Sequence, residues 1–129
     1  MKALAALPLL ALAACATINQ PATLGGSWGG ANIGLLLEGG LGTVEYDCAS
    51  GTIDEPIPSA GGPFRVSGTH RTGQPGPVRV GQIFTSQRAT YAGQVAGTQM
   101  TLSVTLEDGS VLGPFTLIQG APPQITRCL

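Results

Sequence analysis

Apolar and polar side chains alternate with period two along much of the chain, and no segment shows the 3.6-residue period of an amphipathic helix. The cleanest case is Met100–Leu106. Met100, Leu102, Val104 and Leu106 point one way, and Thr101, Ser103 and Thr105 point the other, the pattern of a half-buried antiparallel strand. Glu107-Asp108-Gly109-Ser110 then supplies a tight turn with the Asp-Gly signal, and Val111–Gln119 returns. Upstream, Arg88–Val95 places Ala89, Tyr91, Gly93 and Val95 on one face, and Ala96-Gly97-Thr98 turns it into the Met100 strand. Ile33–Glu38, Thr43–Cys48, Thr52–Ile57, Phe64–Arg71 and Val78–Phe84 complete the set. The pattern predicts an all-β fold of about eight short strands over residues 27–129, a small antiparallel barrel or barrel-like sandwich closed by one disulfide. Gly-Pro precedes an apolar residue at Gly62, Gly76 and Gly113. Proline lacks a ladder donor, so each pair marks a strand entry or bend.

The first residues follow a different pattern. Met1-Lys2 precedes an apolar run from Ala3 to Ala14, too short to span a bilayer but suited to a signal-peptide core. The run ends Leu12-Ala13-Ala14-Cys15, which resembles the lipobox of bacterial lipoproteins. The resemblance implies cleavage before Cys15, a diacylglycerol thioether on its sulfur and a further acyl chain, palmitate for instance, on the new N-terminus. Such anchoring is stable. With Ala16 rather than Asp next, it implies the bacterial cell envelope and the outer membrane, facing the periplasm. Residues 1–14 are then the signal peptide and 15–26 a lipid-anchored flexible tether. As a coil, residues 16–26 reach roughly 18 Å.

Charge narrows the partners. Six Lys and Arg stand against seven Asp and Glu, and cleavage removes Lys2, the only lysine. Without a basic stripe the chain is not a nucleic-acid binder, and membrane contact falls to the acyl chains on Cys15. Removing Cys15 to the lipid leaves Cys48 and Cys128, an even pair in an oxidising compartment. Redox or metal chemistry would need a CxxC or neighbouring histidines, and neither is present, so the pair reads as a structural disulfide.

Trp28-Gly29-Gly30, Tyr46-Asp47-Cys48-Ala49-Ser50-Gly51-Thr52-Ile53-Asp54, Gly68-Thr69-His70, Tyr91-Ala92-Gly93 and Arg127-Cys128-Leu129 together resemble a family of small exported bacterial proteins of unknown function. The resemblance implies export and no particular activity. Gly26-Ser27-Trp28 is also similar to the Gly-x-Trp entry of lipocalin-like barrels. Bacterial inhibitors of secreted metalloproteases also set a small barrel behind a signal peptide, but with a short disulfide loop where this one is long.

Few residues offer chemistry. His70, the only histidine, shares strand parity with Phe64, Val66 and Gly68 and faces inward near a barrel rim. A single histidine excludes three-His metal sites, and neither a metal nor a cofactor is expected. The residue reads as a rim histidine bonded to a backbone carbonyl or carboxylate. A small hydrolase using His70 would further need Asp47 or Asp54 close by and a nucleophile. Glu45 and Asp47 read as the wet face of their strand, with Arg65 and Arg71 on a strand that pairs nearby. Trp28 reads as core, with a ligand-stacking role as the competing reading. Trp28, Glu45, Asp47, His70 and Arg71 thus form the candidate ligand or partner surface, and no catalytic residue is assigned. The expected function is a non-enzymatic envelope lipoprotein binding a partner protein or small ligand. A protease-inhibitor-like barrel is the alternative, and the hydrolase the second alternative.

Overall fold

The structure, a computed structural model, describes residues 22–73 and 85–126. Eight antiparallel strands follow in chain order: β1 (Gly26–Gly30), β2 (Ile33–Glu38), β3 (Leu41–Tyr46), β4 (Ala49–Ile53), β5 (Gly62–Thr72), β6 (Ser86–Ala96), β7 (Gln99–Leu106) and β8 (Val111–Gln119). Each pairs with the next, and β8 pairs back onto β1 through Trp28↔Gln119 to Gly30↔Leu117, so the sheet is a closed barrel rather than a sandwich. The strand count matches the sequence expectation, but its membership does not. Gly26–Gly30 is a strand where the sequence reading counts none, with Gly26 the last residue of the expected tether and 27–30 the start of the expected barrel domain, and Val78–Phe84, counted from the sequence, lies outside the described residues.

Local chemistry explains the turns. Gly39 and Gly40 join β2 to β3 with φ of 59° and 84°, the doubly left-handed geometry of a two-residue hairpin that only glycine adopts without cost. Asp47 and Cys48 join β3 to β4, and Cys48 sits at φ 63°. Period two counted from Val44 and Tyr46 would put Cys48 on their inner face, but that alternation breaks at the turn. The strand ends at Tyr46, and Cys48 is exposed. Two of the Gly-Pro pairs fall as expected. Gly62-Pro63 opens β5, and Gly113-Pro114 lies at the β-bulge where β8 shifts register against β7. The third lies outside the described residues.

Inward positions carry the apolar half of the alternation, and the interior is filled. Trp28, Tyr91, Met100, Leu102, Val104 and Leu117 are completely buried. Outward positions such as Thr101 and Thr105 are exposed and polar. Leu36, Leu41, Val111 and Ile118 are large apolar side chains exposed on the same outer surface.

Two segments brace the barrel from outside. Before β1, the Leu24 N–H donates to Ile57 O (2.7 Å) and the Ser59 N–H donates to Ala22 O (2.9 Å), with Leu24 packed on the core. Ala22 and Leu24, which fall in the expected tether of residues 15–26, are thus bonded to the barrel. After β8, residues 120–126 cross the outer face of β1 and β2 as a strap. Gln124 N–H donates to Gly30 O (3.0 Å), Asn32 N–H to Gln124 O (2.8 Å), and Thr126 N–H to an Asp47 carboxylate oxygen (2.6 Å). Gly29 and Gly34 make the strap possible. A Cβ at Gly29 would collide with the Ala121 and Pro122 backbone, and one at Gly34 would lie 2.7 Å from the Pro123 Cβ.

Candidate functional site

The barrel has two unlike ends. At one, the β2–β3 and β6–β7 turns and the segment before β1 gather over buried Ile57 and Phe64. At the other, the β3–β4 turn, the end of β5 and the start of β8 surround an open depression of about 380 Å³, lined by Tyr46, Ala49, His70, Thr72, Leu112 and Phe115 with Asn32, Asp47, Cys48 and Gly73 at its margin. This volume is at the low end of small-molecule sites. Because the barrel below is filled, a ligand here sits at the rim and not in the bore.

Three aromatic rings furnish the mouth. Tyr46 meets His70 edge-on with centroids 5.1 Å apart, and Tyr46 and Phe115 are tilted at 5.9 Å. The Tyr46 hydroxyl donates to the Tyr91 hydroxyl (3.3 Å), which donates to the Thr69 carbonyl (2.7 Å). This chain fixes Tyr46 from below. Gly51 makes room for it, because a Cβ there would strike the Tyr91 hydroxyl and Thr69 O. Burial raises both phenols above the ordinary tyrosine value, Tyr46 far above it, so both remain protonated donors.

His70 lies where strand parity placed it, inward and only 5 % exposed, opposite Gly51 on β4. Its bonding differs from expectation. The Nδ1 atom is buried without a hydrogen-bond partner, where a bond to a carbonyl or carboxylate was expected. In the register its neighbours are Gly51 on β4, which has no side chain, and Gln87 on β6, whose amide oxygen accepts from the Asp108 N–H instead. An unpaired buried polar atom costs about 1–3 kcal/mol. The contact that orients a catalytic imidazole, a carboxylate on its ring nitrogen, is not made at Nδ1.

Burial is the main influence that holds His70 below its ordinary value of 6.5, and the field of Asp108 opposes it only in part. A base whose folded value is depressed binds fewer protons in the folded state than in the unfolded chain. Stability is therefore present above the unfolded value and is lost as pH falls through 6.5 toward the folded one. We expect the melting temperature to fall between pH 7.5 and 5, and His70→Phe to abolish most of that fall. Glu55 and Asp108, whose carboxyls are held low by bonds from Ser67 and Ser110, act with the same sign only at more acidic pH. Thermal melts of both proteins across pH check this; parallel curves for the two would refute it.

The other expected surface residues disperse. Trp28 is fully buried and donates its indole N–H to Gly25 O (3.2 Å), so it serves the core and offers no exposed face. Glu45 is exposed on the outer wall beside Gly34 and Ser50, away from the mouth. Asp47 reaches the mouth margin through the turn. β4 separates β3 from β5, so Arg71 stands opposite Ser50 and not Glu45, and the expected strand neighbours are not adjacent. Arg65 likewise registers with Ala92. Tyr46, Leu112 and Phe115 were missed as site residues, because inward apolar positions look like core until the barrel's open end is known. Cys15 and Cys128 lie outside the described residues. No group of three metal-ligating side chains occurs among the described residues. No family model, curated protein or solved structure matches the chain.

Proposed function

We propose that this chain is a lipid-anchored protein of the bacterial envelope whose small barrel binds a small ligand at its open mouth and catalyses no reaction. The observation that carries this reading is the mouth itself, an aromatic-lined depression with a buried, unpaired imidazole nitrogen over an otherwise filled barrel. Apolar walls with one or two placed polar groups are the usual make-up of a ligand site. The protease-inhibitor alternative needs an exposed N-terminal segment or loop to enter a cleft; of the N-terminal segment, Ala22 and Leu24 are bonded to the barrel.

The anchor rests on Lys2, the apolar run and the Leu12–Cys15 box. The described chain enters β1 at the end of the barrel opposite the mouth. The disulfide between Cys48 and Cys128 belongs to the same proposal. Its support is the strap: Thr126 is bonded to Asp47, which brings the chain two residues short of Cys128 next to Cys48. Metabolic labelling with a clickable palmitate analogue tests the anchor. The wild type should incorporate label, and Cys15→Ser should lose it entirely and accumulate as the unprocessed precursor. An unlabelled wild type would sink the lipoprotein reading.

A further inference from the structure

We infer that the far end of the barrel, opposite the mouth, docks on the surface of a zwitterionic bilayer through Leu36, Leu41 and the prolines beside them. The inference rests on the reading of Cys15 as a lipid anchor and adds how the barrel sits on the membrane. Three observations carry it.

Exposed apolar side chains gather at that end. Single leucines scattered over a surface are ordinary, whereas a group of them at one end points to a contact surface. Of the large apolar side chains exposed among the described residues, Leu36, Leu41 and Ile118 lie toward the far end, and Val111 lies at the mouth end. Leu36 and Leu41 flank the β2–β3 turn on the outer face, 44 % and 59 % exposed. A Cβ at Gly40 of that turn would lie 3.6 Å from the Pro56 Cβ, so the hairpin meets an exposed proline. Exposed Pro58 then bridges to Thr23 in the entering chain. The apolar surface thus runs from the hairpin to the point where the chain arrives.

The anchor is held close to this surface. Ala22 O accepts the Ser59 N–H and the Leu24 N–H donates to Ile57 O, which fixes the entering chain at the far end. From Cys15 to Ala22 the chain advances seven residues. By covalent geometry alone, that many residues reach at most roughly 25 Å. Whatever path residues 16–21 follow, the lipidated residue stays within that reach of Ala22. Such a link makes docking intramolecular, with an effective concentration on the order of millimolar. A surface too weak to hold a free protein on lipid is then strong enough.

Charge selects the lipid. Among the described residues, the exposed charged side chains at the far end are Glu38, Asp54, Glu55 and Arg65. The balance is acidic, so an anionic leaflet repels this end and a zwitterionic one does not. Docked this way, the barrel holds its mouth toward the aqueous phase.

The test uses the mature lipidated protein, one copy per nanodisc, in phosphatidylcholine with a trace of a gadolinium-chelating lipid. Methyl relaxation then reports how near each side chain lies to the lipid surface. We expect the Leu36 and Leu41 methyls to relax several-fold faster than those of Val111, with Ile118 between them. In the Leu36→Ser, Leu41→Ser double variant the Ile118 enhancement should fall to that of Val111. Both leucines are on the outer wall, so the core is untouched. Added phosphatidylglycerol should weaken the Leu41 enhancement in the wild type, and an increase would overturn the zwitterionic preference. Equal enhancements at Leu41 and Val111 in the wild type would overturn the docking and leave the anchor in place. Shifts of the Leu36 and Leu41 methyls that appear only with two copies per disc would assign the patch to a second copy and overturn it as well. A mature chain found by mass spectrometry to carry no acyl group would remove the anchor, and this inference with it.

Discussion

Reducing the protein should lower its melting temperature by tens of degrees, and Cys128→Ser in an oxidising background should do the same. The proposed bridge from Cys48 closes an 80-residue loop. In the chain-entropy picture such a loop stabilises the folded state by roughly 4–5 kcal/mol. In a domain of this size each kcal/mol moves the midpoint by about 4–8 °C, so a loss on the order of 20 °C is expected. The local structure argues against a large strain that would cancel this gain. Cys48 lies at an exposed position of a two-residue turn, and the strap is already bonded to the neighbouring Asp47. Scanning calorimetry with and without reductant reads the shift. An unmoved midpoint, or stoichiometric labelling of thiols in the native unreduced protein, would exclude the bridge.

Trp28→Ala should cost about 3–5 kcal/mol, the usual loss for deleting a large buried aromatic side chain. Trp28 is 0 % exposed. It stands opposite Leu35 on one side and Gln119 on the other, at the seam where β1 meets β8. Truncation there opens a cavity at the line along which the barrel closes, and Gly29 and Gly30 have no side chains to fill it. The total stability of a small domain is about 5–15 kcal/mol, so this single change removes a large share. Urea titration followed by circular dichroism gives the value, with Trp28→Phe expected between the two. A loss near 1 kcal/mol, the average for a point substitution, would mean that the site collapses around the missing indole.

Legibility in the sequence followed the chemistry of each strand. β7 was plain because its inward positions are Met100, Leu102, Val104 and Leu106, and β6 because Tyr91 and Val95 mark its face. β1 was hidden because its inward set is Gly26, Trp28 and Gly30, and glycine carries no hydrophobic signal. Those glycines are set by neighbours distant in sequence: a Cβ at Gly30 would collide with Thr116 O. The same distinction divides the site. The inward aim of His70 followed from its parity with Phe64 and Val66. Its missing partner depends on register with β4, and the gathering of Tyr46, His70 and Phe115 depends on barrel closure, which no local pattern encodes.

Closure also shapes how the chain reaches this fold. Most pairings join strands adjacent in sequence, and the longest runs from Gly62↔Val95 to Arg71↔Ser86. The seam instead ties Gly30 to Leu117 across nearly the whole domain and spans only a short register. Hairpins can form early from local contacts, whereas the seam must first overcome the entropy of bringing remote segments together. We therefore expect the seam to form last in folding and to open first, and the strap, which bonds the chain after β8 to Gly30 and Asn32, is placed to latch it.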